Sequence, residues 1–374
     1  MRIMILTAAT GGGHIRAAGA IESYIKNNTD YEVAVVDTLK TIGRVVDKTI
    51  CDSYLFMARK APSVFGTLYR QTNKDNRFAD IIPKLVSALS YPLTKAVKEY
   101  NPDVIITTHP FSTEMISALK RNGRIDVPLI CLITDYGLHR AWIANEVDAY
   151  VTACEDMTEE MKAIGVSESR IYPFGIPVYN VFFEEKNREE LKEEIGLDSD
   201  MPVITFMAGS FGVSNIMKLY QKLSEYNTPM QIVVITGKNK KLFDAFEKEI
   251  EENENLVVPT KLVFFTNEVE KYMHVADLLV TKPGGLTVSE ALASNLPMAV
   301  FDAIPGQEED NANFIVKNRM GVRIGKEDDF AGIISAMIAD NQTLNEMREK
   351  CVGFDKSESC ENILSLAREL TGKE

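Results

Sequence analysis

Short apolar strands that run directly into glycine turns constrain the fold of this 374-residue chain more than any other feature. One example is the stretch from Val280 to Glu290, V-T-K-P-G-G-L-T-V-S-E, which follows an apolar run and opens a helical pattern at residues 291–294. A glycine pair between strand and helix leaves the first backbone N–H groups of the helix open, and such a helix start binds anions. Thr287 and Glu290 also fit the capping box S/T-x-x-E, in which side chains satisfy those N–H groups. The stretch therefore predicts a capped helix, an anion site, or both.

The first forty residues follow the same order of strand, glycine turn and helix. Residues 3–9 are apolar, residues 11–13 are glycines, and from His14 apolar positions recur at helical spacing before a second apolar run at residues 31–36. This βαβ unit predicts the start of a doubly wound parallel sheet. It is not a dinucleotide fingerprint, because Arg16 stands where the third glycine of G-x-G-x-x-G belongs. The glycines instead bring the backbone, and His14 behind it, close to a ligand.

Histidines collect at the predicted carboxyl ends of the strands. Two further apolar runs read as parallel strands that end at His109 and Asp135, and His139 comes shortly afterwards. Ligands bind beyond these strand ends in open parallel sheets. With His14, three of the four histidines fall at this edge, which favours a common site over separate structural roles. They do not predict a metal site, since nothing fixes a ligand spacing and no carboxylate cluster accompanies them.

Prolines, a glycine and charged residues separate two such sheets near the middle of the chain. The segment Y-P-F-G-I-P-V at residues 172–178 breaks regular structure, and a charged stretch follows it. A second alternation of strands, glycine turns and helices starts at Pro202. We therefore expect an α/β protein with an N-terminal domain at residues 1–175, a linker at 176–200 and a C-terminal domain at 201–374. The last helix could pack back on the N-terminal domain.

Positive charge is concentrated in residues 40–98 of an otherwise acidic chain. The net charge of −13 argues against a general nucleic-acid binder. Residues 40–98 nevertheless hold eleven Lys and Arg against four Asp, and large apolar side chains such as Tyr54, Phe56 and Phe65 lie between them. Basic residues interleaved with apolar ones favour attachment to an anionic lipid surface. The alternative is a pair of amphipathic helices whose solvated face is basic.

The sequence also bears on the cellular compartment. No apolar run approaches the roughly 20 residues that span a bilayer, and the start lacks the apolar core and cleavage-like site of a signal peptide. The five cysteines show no paired spacing, which is typical of reduced thiols in a cytosolic protein. We therefore expect a cytoplasmic protein that is peripheral on the inner face of the cell membrane.

Five motifs stand in order along the chain: G-G-G-H, T-D-Y-G-L-H-R-A-W, F-G-I-P-V, K-P-G-G-L-T-V-S-E-A-L and I-P-G-Q-E-E-D-N-A. Together they resemble the monogalactosyldiacylglycerol synthase and processive diacylglycerol glucosyltransferase group of glycosyltransferase family 28. The same family includes the enzyme that adds N-acetylglucosamine to the peptidoglycan lipid intermediate. The resemblance implies a GT-B fold, in which two Rossmann-like doubly wound domains face each other across a cleft. It also implies inverting, metal-independent transfer of a hexose from a UDP-sugar to a lipid.

The resemblance assigns the sugar donor mainly to the C-terminal domain. Gly284 and Gly285 would present helix N–H groups to the diphosphate. Glu290 would accept hydrogen bonds from the ribose hydroxyls, and its carboxylate has enough acceptor sites to cap the helix as well. The turn at residues 209–212 would close over the phosphates, and the strand end at residues 264–266 would meet the uracil. The residues expected to bind the UDP-sugar are Gly12, Gly13, Gly209, Ser210, Gly212, Phe265, Thr266, Gly284, Gly285, Leu286, Thr287, Glu290, Gly306, Gln307, Glu308 and Asn311, of which Gln307, Glu308 and Asn311 would hold sugar hydroxyls or simply form a solvated helix start.

His14 is the leading candidate for the general base. It follows the glycine turn at a helix start, where the positive end of the helix dipole disfavours imidazolium. A neutral imidazole can take the proton of the acceptor hydroxyl as that hydroxyl attacks the anomeric carbon. Asp135 is the rival base. His109, His139 and Trp142 are expected on the acceptor side, with Trp142 suited to stacking on a sugar or glycerol backbone; the alternative for these three is packing in the core.

The expected partners are UDP-glucose or UDP-galactose, a diacylglycerol-type lipid and an anionic membrane surface, with no nucleic acid, no cofactor and no metal. The oligomeric state stays open. One alternative keeps the enzyme but changes the reaction to transfer of N-acetylglucosamine from its UDP-sugar to a polyprenyl-diphosphate lipid or another acceptor. A second is a non-catalytic UDP-sugar-binding protein. UDP-sugar epimerisation or hydrolysis is a third, because a fold alone does not select the reaction.

Overall fold

The computed structural model describes residues 1–9, 12–43, 67, 73, 89–207, 216–226, 228–301, 303–325 and 327–373. The chain divides into two compact units. The first comprises Met1–Asn180, Ile304–Asp310 and Lys356–Glu374, and the second comprises Val181–Ala303 and Asn311–Asp355. Most of the basic segment at residues 40–98, together with Gly209, Ser210 and Gly212, lies outside the described residues.

The described part of the first unit is built on a six-stranded parallel sheet with the strand order β2-β1-β3-β4-β5-β6. Its strands are β1 (Arg2–Thr7), β2 (Glu32–Asp37), β3 (Val104–Thr107), β4 (Leu129–Leu132), β5 (Ala149–Val151) and β6 (Ile171–Tyr172). Its helices include α1 (Gly12–Asn28), α2 (Thr38–Ile42), α3 (Tyr91–Tyr100), α4 (Pro110–Arg121) and α5 (Asp156–Ala163). The strands β1 and β3 are neighbours, but the chain continues from β1 to β2 on one side of the sheet and from β3 to β4 on the other. Their carboxyl ends therefore form the switch point at which such sheets bind ligands.

Burial explains why these segments take their elements. Residues 3–6 of β1 are at most 1% exposed, as a strand covered on both faces must be. In α1, Ala17, Ala18, Ile21 and Ile25 are fully buried at helical spacing. The predicted βαβ unit at the start of the chain is therefore confirmed, except that Gly12 and Gly13 belong to the first turn of α1 rather than to a loop.

The second unit repeats the arrangement with the strand order β12-β11-β10-β7-β8-β9, again parallel among the described residues. Its strands are β7 (Val203–Met207), β8 (Gln231–Ile235), β9 (Thr260–Val263), β10 (Leu278–Thr281), β11 (Met298–Phe301) and β12 (Gly321–Ile324). Its helices include α6 (Arg188–Glu194), α7 (Ile216–Ser224), α8 (Lys240–Glu252), α9 (Val269–Val275), α10 (Gly285–Ala293), α12 (Phe330–Ala339) and α13 (Asn341–Val352). The switch point of this sheet lies between β7 and β10.

Two further helices complete the described chain. Helix α11 (Gln307–Lys317) begins in the segment Ile304–Asp310 of the first unit. The C-terminal helix α14 (Ser359–Thr371) belongs to the first unit, where the Tyr24 hydroxyl donates to Glu361 at 2.9 Å and Arg368 donates to the Tyr31 hydroxyl at 3.1 Å. The two sheets with their helices confirm the predicted α/β class.

The predicted end of β9 differs from the structure by three residues. The sequence predicts a strand at residues 262–266, whereas β9 ends at Val263. Its neighbour β8 ends at Ile235, which lies opposite Val263 in the register. The parallel ladder therefore stops there, and Phe264, Phe265 and Thr266 follow the strand instead of forming its end.

Gly321, the first residue of β12, packs against its neighbours too closely to accept a side chain. A Cβ at this position would overlap the backbone oxygen of Met298 and lie 2.9 Å from Cγ2 of Ile315. We expect Gly321→Ala to reduce the free energy of unfolding by about 1–3 kcal/mol, the usual cost of overpacking, and thermal unfolding measures this. Gly353→Ala is the matched control, because the nearest atom to its Cβ would be 3.5 Å away. Equal melting temperatures for the two variants would contradict the expected clash.

Candidate functional site

The first turn of α1 places His14 at the switch point of the first sheet. His14 is the third residue of a helix that starts soon after β1, so it lies near the positive end of the helix dipole. Nothing lies within 4 Å of where a Cβ on Gly12 would stand, among the described atoms. Gly12 thus keeps the helix start open beside His14.

Two threonines from adjacent strand ends contact the same ring nitrogen of His14. Its Nδ1 lies 2.8 Å from the backbone oxygen of Thr108 and 2.8 Å from the hydroxyl oxygen of Thr134. Thr108 also donates its hydroxyl to the backbone oxygen of His14 at 3.1 Å. A carbonyl oxygen can only accept, so the hydrogen bond to Thr108 assigns the ring proton to Nδ1. The neutral ring then carries its lone pair on Nε2, the atom that can take a proton.

The surroundings of His14 favour the neutral ring. Burial lowers the pKa of His14 to about 4, and the hydrogen bond to the Thr108 carbonyl opposes this shift in part. Part of the residue remains open to solvent, which a base that meets a substrate requires. At pH 7 the imidazole is therefore unprotonated at Nε2 and available as a base.

His109 is in ring contact with His14, with the centroids 4.6 Å apart and the planes at 75°. It caps the start of α4 by accepting from the backbone N–H of Phe111 at 3.1 Å. This bond occupies Nδ1, so the neutral His109 ring carries its proton on Nε2. Burial, and to a lesser extent the neighbouring His14, hold the pKa of His109 well below 6.5. His109 is therefore a neutral hydrogen-bond donor beside the candidate base.

The remaining candidates of this unit also lie after β4. His139 accepts from the backbone N–H of Ala141 at 3.1 Å and so caps the short 3-10 helix Arg140–Trp142. The Trp142 ring is 6.1 Å from the His14 ring, and Trp142 is only 3% exposed. Asp135 is buried, with 7% of its surface exposed. The structure thus brings His14, His109 and Trp142 together, and it gives His109 and His139 capping roles.

In the second unit, the start of α10 lies directly after β10 at the switch point. The N-cap residue is Gly284, which has no side chain that could accept from the first N–H groups of the helix. The predicted capping box of Thr287 and Glu290 is therefore wrong. Both residues lie inside the helix, because the helix already begins at Gly285, and a cap must precede the first turn. Leu286 is 5% exposed and Glu290 is 1% exposed.

A carboxylate cap occurs instead at the start of α11. Glu309 accepts from the backbone N–H of Gly306 at 3.2 Å, and Glu308 accepts from that of Ile304 at 2.7 Å. Gly306 has a φ of 106°, a conformation that favours glycine. Glu308, expected to hold a sugar hydroxyl, thus uses one carboxylate oxygen within its own turn, while Gln307 is half-buried.

Asn311 braces the glycine turn before α10. It is fully buried, and its side-chain amide donates to the backbone oxygen of Pro283 at 2.9 Å. Within the second unit, the bond connects Asn311 with the K-P-G-G motif. It fixes the backbone immediately before Gly284, which is what a rigid anion site needs.

Exposed aromatic rings follow β9. Phe264 and Phe265 are 39% and 45% exposed, and the Lys238 ammonium lies 4.7 Å from the centroid of the Phe265 ring. Thr266 accepts from the backbone N–H of Glu268 at 2.9 Å through its hydroxyl. An open aromatic face beside a cation is suited to a nucleobase next to phosphates.

Two parts of the chain each match a known protein family. Residues 14–178 match the family described as monogalactosyldiacylglycerol (MGDG) synthase, and residues 187–352 match glycosyl transferases group 1. A processive diacylglycerol beta-glucosyltransferase of Bacillus licheniformis is 28% identical over 97% of this chain and 93% of its own length. The chain is a glycosyltransferase. Its predicted resemblance to the MGDG synthase and processive diacylglycerol glucosyltransferase group is confirmed.

Solved structures agree on the fold of this glycosyltransferase. The MurG structure of Acinetobacter baumannii superposes with a TM-score of 0.67 at 15% identity, covering 98% of this chain and 99% of that one. Anabaena Alr3699/HepE in complex with UDP superposes with a TM-score of 0.59 at 15% identity, with the same coverage of both chains. At such identities the likeness bears on the fold alone, and it confirms the predicted GT-B fold with two Rossmann-like domains.

Sequence reasoning missed three residues of the glycosyltransferase that the structure places at these sites: Thr108, Thr134 and Lys238. Thr108 and Thr134 are the last residues of two predicted strands, and this position could have drawn attention to them. Lys238 follows β8 without any motif. Among the described residues, no cluster of His, Cys, Asp and Glu has the geometry to hold a metal ion. Within the same residues, no helix has the length and apolar character to cross a bilayer.

Proposed function

We propose that this glycosyltransferase moves a hexose from a UDP-sugar to diacylglycerol, or to a glycosyl-diacylglycerol, at the membrane surface. The proposal includes inversion at the anomeric carbon, a β-glycolipid product and no metal. The observation that carries it is the His14 ring, whose proton lies on Nδ1 and whose Nε2 is free of a proton at neutral pH. Support also comes from the lipid glucosyltransferases to which almost the whole chain is similar and from a structural neighbour that holds UDP.

His14 would act as the general base of a single displacement. Its Nε2 takes the proton of the acceptor hydroxyl, and the hydroxyl oxygen forms a bond with the anomeric carbon of the sugar. The bond from that carbon to the β-phosphate oxygen breaks, and its electron pair leaves with UDP. Attack on the face opposite UDP inverts the configuration, so an α-linked donor gives a β-glycoside. No covalent enzyme intermediate is required.

The leaving diphosphate would be stabilised by the start of α10. The N-cap residue there is Gly284, and Gly284 and Gly285 carry no side chains that would cover the first backbone N–H groups. Donors fixed in place before the reaction stabilise developing negative charge without reorganising, which is why a metal is not needed in this scheme. Asn311 holds the preceding turn through Pro283. Glu290 would hold the ribose, and Phe265 with Lys238 would meet the base.

An assay with a donor panel tests the proposal. The purified protein is incubated with vesicles that contain diacylglycerol and with UDP-glucose, UDP-galactose or UDP-N-acetylglucosamine in turn. We expect a β-linked glycolipid from UDP-glucose or UDP-galactose, together with one UDP for each bond formed, and with turnover unchanged by a metal chelator. Thin-layer chromatography and NMR of the anomeric proton identify the product. No glycolipid from any of the three donors would reject the proposed reaction.

The same assay separates the alternatives. UDP release without a lipid acceptor would indicate hydrolysis or epimerisation, and product only from UDP-N-acetylglucosamine with a polyprenyl-diphosphate lipid would indicate the other acceptor class.

Binding to the membrane surface is tested separately, because residues 40–98 carry a charge of +7. We expect binding to anionic vesicles at low salt that weakens as salt screens the charges. Equal binding to neutral and anionic vesicles would reject an electrostatic surface.

A further inference from the structure

The side chain of Thr134 has no assigned role, yet it lies against the candidate base. Its hydroxyl oxygen is 2.8 Å from Nδ1 of His14, the same distance as the Thr108 carbonyl oxygen. Thr134 is 3% exposed and Thr108 is fully buried. The two residues follow neighbouring strands, β4 and β3, so two separate strand ends hold one ring nitrogen from two directions.

We propose that Thr134 is a positioning residue whose hydroxyl, together with the Thr108 carbonyl, holds the Nδ1–H of His14 and so makes Nε2 the atom that takes the acceptor proton. The proposal rests on the proposed function for its catalytic consequence. The geometry behind it does not, because a single Nδ1–H shared between two oxygen acceptors follows from the contacts of His14 alone. The backbone around both threonines is fixed as well, since Thr108 donates to Leu6 and Ile133 donates to Val151 across the sheet.

The chemistry of the two acceptors sets the strength of the base. When Nε2 takes a proton, the ring becomes imidazolium and its Nδ1–H becomes a stronger donor, so both bonds strengthen. A neutral carbonyl and a neutral hydroxyl stabilise that cation less than a carboxylate would. The base therefore accepts a proton during the reaction without remaining charged afterwards, in agreement with its depressed pKa.

One titratable group is in contact with the ring, and two charged residues lie close to His14 or Thr134 in the sequence. His109, from the start of α4, contacts the ring and is held neutral by burial. Asp135 is the residue after Thr134, and Arg16 lies on α1 two residues after His14. Removing the hydroxyl of Thr134 removes a bond that favours the imidazolium form, so the pKa of His14 should fall. Introducing a carboxylate there should raise it.

The experiment compares Thr134→Val, Thr134→Ser and Thr134→Asp with the wild type. Two readouts are used: NMR titration of ¹⁵N-labelled His14 without substrate, and the pH profile of kcat with the donor and acceptor of the assay above. We expect Thr134→Val to lower the pKa of His14 and to reduce kcat about tenfold, the loss of roughly one hydrogen bond. Thr134→Ser should restore both values. Thr134→Asp should raise the pKa and move the acid limb of the profile upward.

A double-mutant cycle separates positioning from packing. In a His14→Ala background, Thr134→Val should have no further effect on the residual rate, because there is no ring left to position. An equal loss in both backgrounds would overturn the proposal, and so would a wild-type titration of His14 in Thr134→Val. Failure of Thr134→Ser to restore the titration would overturn it too. If no glycolipid forms but the titration responds as expected, the reaction is wrong while the positioning of the ring stands.

Discussion

Replacing His14 with alanine is expected to lower kcat about a thousandfold, within the range of roughly 10²–10⁴ that a general base contributes. The variant lacks the His14 imidazole. Among the described residues, this is the only group whose contacts leave a neutral base with its lone pair on Nε2. Binding of the UDP-sugar donor should change little, because the residues expected to bind its diphosphate and ribose lie in the second unit. Initial rates of glycolipid formation and calorimetric titration with UDP measure the two quantities separately.

Two further variants test whether the loss of turnover is specific to His14 and is not a general effect of losing a histidine. His14→Gln keeps a polar side chain but cannot act as a base, so it should be nearly as slow as His14→Ala. His274→Gln is the control, because His274 bonds the backbone oxygen of Val181 at 3.1 Å in the second unit and the amide can replace that bond. It should retain wild-type turnover within about threefold. Full turnover in His14→Ala would contradict the base assignment and transfer the role to Asp135, which Asp135→Asn then tests.

The pH dependence follows from the same group. The pKa of His14 is lowered to about 4 by burial, so its neutral form persists well below the usual value of 6.5. The proposed mechanism needs this neutral form, and the rate should therefore hold steady from pH 7 downward and fall only as the ring becomes protonated. A base whose pKa is raised would lose activity in the same direction, as the pH falls, but it would do so already near neutral pH.

Much of the fold is legible in the sequence because parallel sheets leave a strong pattern. Residues 3–6 are continuously apolar since both faces of β1 are covered, and the glycines that follow mark the strand-to-helix turn. The same rule predicted β10 and the helix after it. The end of β9 was misplaced by the same reasoning. Phe264 and Phe265 are apolar enough to continue a strand, but the neighbouring strand ends opposite Val263 and leaves them no ladder to join.

The sites were less legible, because they depend on contacts between residues distant in sequence. His14 could be predicted from its place after a glycine turn, whereas its partners Thr108 and Thr134 come from strand ends 94 and 120 residues away. Nothing in their local sequence distinguishes them from other threonines at strand ends. The capping box failed for a related reason. The motif at Thr287 and Glu290 fits a helix start, but the helix begins at Gly285 and places both residues inside it.

Asn311 and Glu308 show that residues of a ligand-binding motif can also have a local structural role. Both were expected at a sugar, because the motif that contains them belongs to the donor side of the resembling group. In the structure, Asn311 is fully buried and supports Pro283, and Glu308 closes its own turn at Ile304. Residues that shape a turn need the same spacing in sequence as residues that contact a ligand. A sequence motif alone therefore cannot separate the two tasks.

Gly284→Ala should weaken the binding of UDP by about tenfold or more while leaving the fold intact. Gly284 has a φ of −72° and a ψ of 138°, which any L-residue adopts without strain. Among the described atoms, none lies within 4 Å of the position of the added Cβ. The folded protein therefore tolerates the methyl group, but a diphosphate that approaches the first N–H groups of α10 would meet it. A tenfold loss corresponds to about 1.4 kcal/mol of binding free energy.

Calorimetric titration with UDP measures the affinity, and thermal unfolding measures the stability, for Gly284→Ala beside Gly353→Ala. The control residue lies at the end of α13, has an ordinary φ of −67° and would bring its Cβ no closer than 3.5 Å to another atom. Both variants should melt within about 3 °C of the wild type, because neither costs as much as 1 kcal/mol. Only Gly284→Ala should lose affinity for UDP. Wild-type affinity in that variant would contradict binding of the diphosphate at the start of α10, and would favour the turn that the sequence predicts at residues 209–212. If Gly284→Ala lowered both the affinity for UDP and the melting temperature, the role of Gly284 would instead be in the packing of the fold.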